Sequence, residues 1–276
     1  MKNDKIRFVH GNILWIMVQW SGFVGKRATS VETMSNFTRP LIEERENNLC
    51  MVKECIEMAK DLETKIVKVF ACWRGTHRYD GVGYYDFGSR IHDFENNFVT
   101  ESQRWRWAVE GIRDAAKWAK EYGITIALQN HPPVTEWGYE DVLQMAKEIN
   151  MDNLKLCLDV SNFGPKQSDE YVHEAVEACK EIGIVLSHYS SLGFDETQSG
   201  QLVRKSWIFG HVNYPAYIKE LKRIGFDGFI TSEECGPVLV NHQYSGIETV
   251  DRHVRAALKY MKALVSTGKE PKIIKC

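Results

Sequence analysis

The feature that most constrains the fold is a regular alternation between short apolar runs and longer amphipathic stretches. The short runs are apolar throughout and mostly rich in β-branched or aromatic residues, as expected for strands covered on both faces. Repeated strand-then-helix order predicts a parallel sheet with right-handed crossovers. The strand candidates are Leu14–Trp20, Ile66–Cys72, Ile124–Leu128, Leu154–Asp159, Ile184–His188 and Phe229–Ser232.

The amphipathic stretches repeat apolar residues at helical spacing. Thr100–Tyr122, for example, places Trp107, Ile112 and Ala116 on one face. Helices of this kind between parallel strands predict an α/β fold of the (β/α)8 TIM-barrel type. The helix candidates are Arg39–Leu62, Thr100–Tyr122, Glu140–Ile149, Asp169–Ile182, Tyr214–Ile224 and Gly246–Ser266.

The 276 residues are a normal size for one such barrel, and no linker or low-complexity stretch divides them. We therefore predict a single TIM-barrel-like domain over residues 1–276. The stretch 73–99 is aromatic, polar and rich in glycine, and it is too long for an ordinary connection. It is predicted to be a long loop or lid, or a subunit contact, with a packed surface excursion as the alternative.

Charge and cysteine content exclude several classes of function. A formal net charge of −2 gives no whole-surface attraction to nucleic acid or anionic lipid, so neither is expected as a partner. Ile13–Val18 is the longest apolar run near the N-terminus and is too short to cross a bilayer. Seven cysteines without a CxxC pair indicate reduced thiols, and the N-terminal stretch lacks a secretory apolar region. Together these features predict a cytoplasmic protein.

Polar side chains stand at the ends of four successive predicted strands. They are Gln129, Asp159, His188 and Glu233. The carboxyl ends of barrel strands converge on one mouth, so we expect these groups to meet there. The set suits a divalent metal, Mn²⁺ first and then Mg²⁺ or Co²⁺, better than structural zinc. Taken singly, Asp159 could be a helix N-cap and His188 a hydrogen-bonded core group.

Five stretches carry a family resemblance: ITIALQNHP, LKLCLDVSNF, VLSHYSS, GHVNYPAYIKELKRIGFDGF and ITSEECGPVL. The chain from about Ile66 to the last helix resembles the xylose isomerase-like TIM barrel superfamily, which contains sugar and sugar-phosphate isomerases and epimerases and also endonuclease IV. The resemblance implies a small carbohydrate substrate and a metal-dependent isomerase or epimerase. Such an enzyme removes a proton next to a carbonyl and passes through an enediolate. Nuclease action is disfavoured by the acidic charge balance.

The resemblance also implies roles for the strand-end residues. The family takes metal ligands Glu, Asp, His and Glu from its fifth to eighth strands, and the matching positions here are Gln129, Asp159, His188 and Glu233. Gln129 can coordinate through its carbonyl but cannot accept a proton, so a symmetric two-Glu epimerisation is not expected. A branch with a QNH variant is similar, and His131 is then the expected base, with Glu233 as its catalytic partner. Bracing of the following loop is the alternative role of His131.

That branch resembles the large subunits of C-glycoside deglycosidases, which act on 3-keto glycosides with a smaller partner chain. The ending Glu233-Glu234-Cys235-Gly236-Pro237 fits it. C-glycoside cleavage is therefore an alternative function, and a degenerate, non-catalytic barrel is another. The expected partner is a second copy of this chain or a small second subunit.

Four residues near the predicted mouth are candidates for substrate binding. Asn162 lies one turn past Asp159, and Arg204 lies in the loop after His188, where relatives carry a basic residue. The other two are His211, which could be only a helix cap, and His242 in the final loop.

The first strands of the expected barrel are hard to recognise. Counting back from Glu233, Leu14–Trp20 corresponds to the family's third strand, and only Lys5–His10 is a candidate before it. The barrel is then incomplete at its N-terminus, or the chain is a shortened version of a longer protein, or the strand count is off. An open barrel would leave exposed strand edges that favour aggregation or dimer contacts.

Overall fold

The structure is a computed structural model, and a mostly parallel β-sheet forms its centre. The residues it describes are 7–9, 17–20, 28–73, 76–79, 82–85, 99–190, 193–204, 212–233, 239–240 and 243–275. The sheet strands are β1 (Arg7–Val9), β2 (Met17–Trp20), β3 (Ala28–Glu32), β4 (Ile66–Val69), β7 (Thr125–Gln129), β8 (Leu154–Cys157), β9 (Ile184–Tyr189) and β12 (Phe229–Ser232). The helices are α1 (Ile42–Asp61), α2 (Glu101–Glu121), α3 (Glu140–Ile149), α4 (Asp169–Cys179), α5 (Tyr214–Arg223) and α6 (Ile247–Thr267).

Smaller strands lie outside this sheet. β10 (Phe194–Glu196) pairs with β11 (Leu202–Arg204), which pairs in parallel with β15 (Ile273–Lys275). Two hairpins complete the set: β5 (Thr76–Tyr79) with β6 (Val82–Tyr85), and β13 (Leu239–Val240) with β14 (Gln243–Tyr244).

The strand order of the main sheet is that of a TIM-like barrel. It runs β1-β12-β9-β8-β7-β4-β3-β2, and every neighbouring pair is parallel except β2 with β3. β1 and β2 stand at the two ends of this order, so the described strands form a nearly closed barrel. The predicted α/β barrel class is confirmed.

The side chains of each strand alternate between two environments. Ile66, Ala127, Cys157 and Leu186 form a small apolar cluster of their own, from four different strands. Their outward neighbours, such as Val67, belong instead to the large cluster shared with the helices. The small cluster is a layer of the barrel interior, and it forms the floor beneath the polar residues at the strand ends.

Helix α2 shows why the predicted helices form where they do. It starts at a capping box. The Thr100 hydroxyl accepts a hydrogen bond from the backbone N–H of Gln103, and Oε1 of Gln103 accepts one from the backbone N–H of Thr100. Its buried face, including Ile112, packs into the main core. It ends before Gly123, whose φ of 64° lies in the left-handed region that glycine adopts just past helix C-termini.

The predicted strand count needs one correction at the N-terminal side. Leu14–Trp20 was expected to be the first recognisable parallel strand, but Met17–Trp20 runs antiparallel to Ala28–Glu32. Ala28–Glu32 is itself the parallel neighbour of Ile66–Val69 and has no counterpart among the strand candidates. Lys5–His10 does contain a strand, and it pairs in parallel with Phe229–Ser232. The strand Ala28–Glu32 is hard to recognise because Ser30 and Glu32 are polar.

Most of the predicted loop or lid at 73–99 lies outside the described residues, which include only the β5–β6 hairpin and the two ends. A single domain over 1–276 stays a prediction for the same reason. No helix in the described part of the chain is long and apolar enough to span a membrane.

Gly228 is required by a close approach between β12 and its neighbour. A Cβ at Gly228 would lie 2.4 Å from the carbonyl oxygen of Val185 and 2.6 Å from the ring of Phe226. We predict that Gly228→Ala lowers the free energy of unfolding by about 1–3 kcal/mol, because the backbone must move to relieve the clash. Urea unfolding measures the change.

Gly246→Ala is the matched control, since no heavy atom lies within 4 Å of its added Cβ. It should lower the free energy of unfolding by less than about 1 kcal/mol, the usual cost of losing a favourable N-cap residue. Equal stabilities of the two variants would contradict the close-packing account of Gly228.

Candidate metal centre

Six neighbouring strands of the barrel each place one polar side chain in its interior. Five of these side chains are charged or can become charged, and all six are buried. β4 and β9 contribute from within the strand, β3 and β7 from their last residues, and β8 and β12 from just past their ends. In this strand order the residues are Glu32, Lys68, Gln129, Asp159, His188 and Glu233.

The His188 imidazole lies at the middle of this group. Its Nε2 is 3.3 Å from Oε1 of Glu32, and its Nδ1 is 3.3 Å from Oε2 of Glu233 and 3.8 Å from Oδ2 of Asp159. One ligand atom each from Glu32, His188 and Glu233 can be chosen so that all lie within 4.8 Å of one another. Three buried groups at this spacing could hold one metal ion.

Lys68 lies on the other side of the same two glutamates. Its Nζ is 3.4 Å from Oε2 of Glu32 and 3.8 Å from Oε1 of Glu233. The ammonium also lies 3.8 Å from the centre of the Phe70 ring, within the range of a cation–π contact. Glu32 and Lys68 face each other at the same level on adjacent strands, which explains their pairing.

Asp159 uses its two oxygens for different purposes. Oδ1 accepts a 2.8 Å hydrogen bond from the Ser161 backbone and caps the short 3₁₀ turn that follows. Oδ2 faces the cluster, 3.3 Å from Nε2 of Gln129 and 3.4 Å from Nδ2 of Asn162. Asn130 fixes the backbone of Asp159 through two hydrogen bonds, of 2.7 and 3.0 Å. Capping and a ligand position are therefore compatible at this residue.

Gln129 provides the test of whether the group fits a metal. Its amide nitrogen contacts Asp159 and His188, while its buried Oε1 has no hydrogen-bond partner in the described part of the protein. An unpaired buried acceptor is costly and calls for a missing partner such as an ion. Rotation of the amide would turn Oε1 toward the carboxylates. Carboxylate, imidazole and amide donors together suit Mn²⁺, Mg²⁺ or Co²⁺.

Mutual electrostatics keep the group ionised despite burial. Burial disfavours charge on Glu32 and Glu233, but His188 and Lys68 outweigh it and hold the pKa of both carboxyls below its ordinary value. Burial likewise opposes the imidazolium of His188, yet the glutamates raise its pKa well above 6.5. Burial raises the pKa of Asp159 to about 6. A bound metal would take the place of the proton on His188.

His131 lies beside this group rather than in it. Its ring packs edge-on to Phe70 at 4.9 Å and lies 5.5 Å from Trp73. Its Nδ1 is 2.5 Å from the carbonyl oxygen of Pro132, which can only accept, so Nδ1 carries the hydrogen and Nε2 the lone pair. Burial lowers the pKa of His131 to about 4. The residue both braces its loop and presents a neutral imidazole.

The four candidate substrate residues are placed differently. Asn162 contacts Asp159 and so borders the cluster. Arg204 lies 5.5–5.8 Å from the ring centres of Phe194, Tyr214 and Tyr260, and it donates to the Val212 carbonyl at 2.7 Å. Its Nη1 also lies 3.7 Å from Oε1 of Glu270. His211 and His242 lie outside the described residues. All four roles stay predictions.

Glu32 and Lys68 are the site residues that sequence reasoning missed. Glu32 ends the unrecognised strand Ala28–Glu32, and Lys68 lies inside the apolar run Ile66–Cys72. The available signal was a charged residue within or ending a short β-branched stretch. Such a charge cannot be explained by the apolar pattern of a buried strand.

Comparisons with known proteins agree with this architecture. Residues 21–264 match the model of the family described as xylose isomerase-like TIM barrel. An uncharacterized protein of Methanocaldococcus jannaschii is 27% identical over 190 residues, which are 66% of this chain and 55% of that protein. The chain thus spans little more than half the length of this relative.

Several solved structures share the fold at low identity. D-psicose 3-epimerase in the presence of D-fructose has a TM-score of 0.61 at 12% identity, over 86% of this chain and 78% of that one. The 3-keto-D-glucoside 4-epimerase YcjR of E. coli, in its apo form, has a TM-score of 0.61 at 11% identity, over 86% of this chain and 79% of that one. The IOLI protein with a binding zinc atom has a TM-score of 0.56 at 18% identity, over 87% of this chain and 77% of that one.

The family match does not distinguish the C-glycoside deglycosidase branch, which stays a prediction. The matched residues 21–264 include every strand from Ala28–Glu32 to Phe229–Ser232, and therefore all six polar residues of the centre. The predicted family is confirmed: this chain belongs to the xylose isomerase-like TIM barrel family.

Proposed function

We propose that this protein is a divalent-metal-dependent isomerase or epimerase of a sugar or keto sugar. The observation that carries the proposal is the buried group of Glu32, His188 and Glu233, whose ligand atoms lie within 4.8 Å of one another. With His188 neutral, Glu32, Asp159 and Glu233 carry two negative charges more than Lys68 offsets, and burial of that excess calls for a compensating cation. Mn²⁺ is the proposed metal, with Mg²⁺ or Co²⁺ as alternatives, since oxygen donors dominate the set.

Two further residues complete the proposed ligand set. Oδ2 of Asp159 already faces His188, and the unpaired Oε1 of Gln129 can turn toward the same point. Four of the five proposed ligands, from Gln129 to Glu233, are the ones that the strand ends predict. Glu32 is the addition, and it supplies a carboxylate that Gln129 lacks.

When bound, the metal would supply positive charge that polarises a substrate carbonyl and makes the neighbouring C–H bond more acidic. The chain contributes the remaining features of the reaction. The apolar floor of Ala127, Cys157 and Leu186 closes the site from below and keeps water away from that side. Glu32 is positioned by its strand, Asp159 by the two hydrogen bonds of Asn130 to its backbone, and Glu233 by the hydrogen bond from its backbone N–H to the Tyr189 carbonyl.

His131 is the proposed base, because Gln129 cannot take a proton. Burial lowers its pKa to about 4, so the ring takes up a proton only as the pH falls toward that value. The neutral base is therefore present throughout the range from pH 5 to pH 8. Proton removal next to the carbonyl yields an enediolate and leaves the proton on Nε2 of His131. In an isomerisation His131 returns this proton to the neighbouring carbon. Glu233 is the proposed partner in an epimerisation: its carboxylate would first accept a proton from a substrate hydroxyl group and then deliver it to the opposite face of the enediolate, and His131 would return its own proton to the resulting alkoxide.

A small carbohydrate is the proposed substrate. The similarity of the fold to structures of sugar and keto-sugar epimerases supports this class, and Asn162 at the edge of the cluster could bind a hydroxyl group. Arg204, His211 and His242 remain candidates for the same task. A second copy of this chain, in a homo-oligomer, is one proposed protein partner. A small second subunit is the other, and it belongs to the deglycosidase alternative.

The direct test measures metal content and proton exchange. The purified protein, incubated with Mn²⁺ and a panel of ketoses and 3-keto glycosides in D₂O, should incorporate deuterium next to a carbonyl. Aglycone release that needs a second subunit would favour C-glycoside cleavage instead. Absence of metal, and no gain in thermal stability with Mn²⁺, Co²⁺ or Mg²⁺, would indicate a degenerate barrel.

Glu32→Gln tests the ligand that sequence reasoning missed. We predict at least tenfold weaker Mn²⁺ binding by calorimetry, because the variant removes one of three charged oxygen ligands. Glu136→Gln, at an exposed glutamate, is the control and should bind Mn²⁺ as the wild-type protein does. Unchanged Mn²⁺ affinity in Glu32→Gln would remove this residue from the centre.

His131→Gln tests the proposed base. Deuterium incorporation should fall about 100-fold or more, the usual contribution of a general base, while Mn²⁺ binding stays within a few-fold of wild type. NMR of the recovered sugar measures the exchange. An unchanged exchange rate would show that another group removes the proton.

A further inference from the structure

Lys68 is the one charged member of the centre for which the proposed function leaves no role. Its side chain has no solvent exposure, and an ammonium group cannot be a metal ligand. A buried lysine is costly unless it is paired, so its place between two carboxylates calls for an explanation.

The two glutamates divide their oxygens between His188 and Lys68. Oε1 of Glu32 and Oε2 of Glu233 face the imidazole, each at 3.3 Å. Oε2 of Glu32 and Oε1 of Glu233 face the ammonium, at 3.4 and 3.8 Å. A cation bound on the His188 side would leave the Lys68 side as it is.

The surroundings of Lys68 hold its ammonium at this position. The Phe70 ring, 3.8 Å from Nζ, covers one side of it. Glu32 and Glu233 are the anions it faces, and its stem comes from a strand in the middle of the sheet. The positive charge is therefore a fixed part of the centre.

We infer that Lys68 sets the charge of the centre so that it selects a divalent over a trivalent cation. Three carboxylates, of Glu32, Asp159 and Glu233, stand against one ammonium. The excess is two negative charges, which a divalent ion neutralises when His188 is neutral as a ligand. Without Lys68 the excess is three, which favours a trivalent ion. The inference rests on the proposed function.

A series of variants that changes this charge in single steps tests the inference. Lys68→Met makes the excess three, the double variant Glu32→Gln with Lys68→Met restores two, and Glu32→Gln alone leaves one. The probes are Mn²⁺ and Tb³⁺, whose affinities are measured by calorimetry for each protein. The readout is the ratio of the two affinities. Loss of a ligand or a distorted site weakens the binding of both ions, whereas a change of charge alters the ratio.

We expect Lys68→Met to shift this ratio toward Tb³⁺ by about 10- to 100-fold, the size of one added charge interaction at short range. The double variant should return to the wild-type ratio, and Glu32→Gln should shift it toward Mn²⁺. Lys68→Arg, which keeps the charge, should match wild type. If Lys68→Met does not fold, the Glu32→Gln and double variants still separate the outcomes, since removing both members of a buried pair is better tolerated than removing one.

A constant ratio across the folded variants would overturn the inference while leaving Mn²⁺ binding and the proposed function in place. Failure of the wild-type protein to bind either ion would overturn the proposed function, and the inference with it.

Discussion

Three carboxylates buried around one imidazole are the arrangement on which the rest of this structure depends. Burying one ion costs several kcal/mol even after the protein relaxes, and like charges at this spacing repel one another. His188 and Lys68 offset part of that cost through contacts of 3.3 to 3.8 Å. The proposed divalent cation would replace the proton on His188 and neutralise the two negative charges that Lys68 leaves, so metal binding would account for a concentration of charge that packing alone does not.

The barrel makes this arrangement possible because its strands deliver side chains to one point from all around. Six neighbouring strands each contribute one polar residue, and the apolar layer of Ile66, Ala127, Cys157 and Leu186 lies in the interior below them. The pattern also explains an exchange within the centre. The carboxylate expected at Gln129 is absent, while β3 supplies Glu32, whose Oε1 reaches His188. The number of carboxylates is kept, but no proton acceptor stands at Gln129, and for this reason His131 is the proposed base.

Much of the fold could be predicted from the alternation of apolar runs and amphipathic helices. Glu140–Ile149 has the predicted bounds, and the strands that carry Gln129, Asp159, His188 and Glu233 lie where the apolar runs indicate. The structure brings the four side chains together. Prediction of these elements works because strands and helices buried in a barrel keep a simple apolar pattern.

The parts that could not be predicted have a common physical cause. Ala28–Glu32 is not an apolar run, because Glu32 belongs to the polar centre and the buried Ser30 hydroxyl donates to it. Lys68 was overlooked for the opposite reason, since its neighbours in Ile66–Val69 are apolar and conceal one charged position. Sequence patterns of a core are least informative where the core is built for chemistry. The cytoplasmic location and the oligomeric state also stay predictions.

The most direct test of the central claim is anomalous scattering from crystals grown with Mn²⁺, recorded at the manganese absorption edge. The account predicts one peak inside the barrel, within about 2.6 Å of oxygens of Glu32 and Glu233 and of a nitrogen of His188. A well-ordered barrel without a peak at this position, and with His188 still in contact with both glutamates, would contradict it.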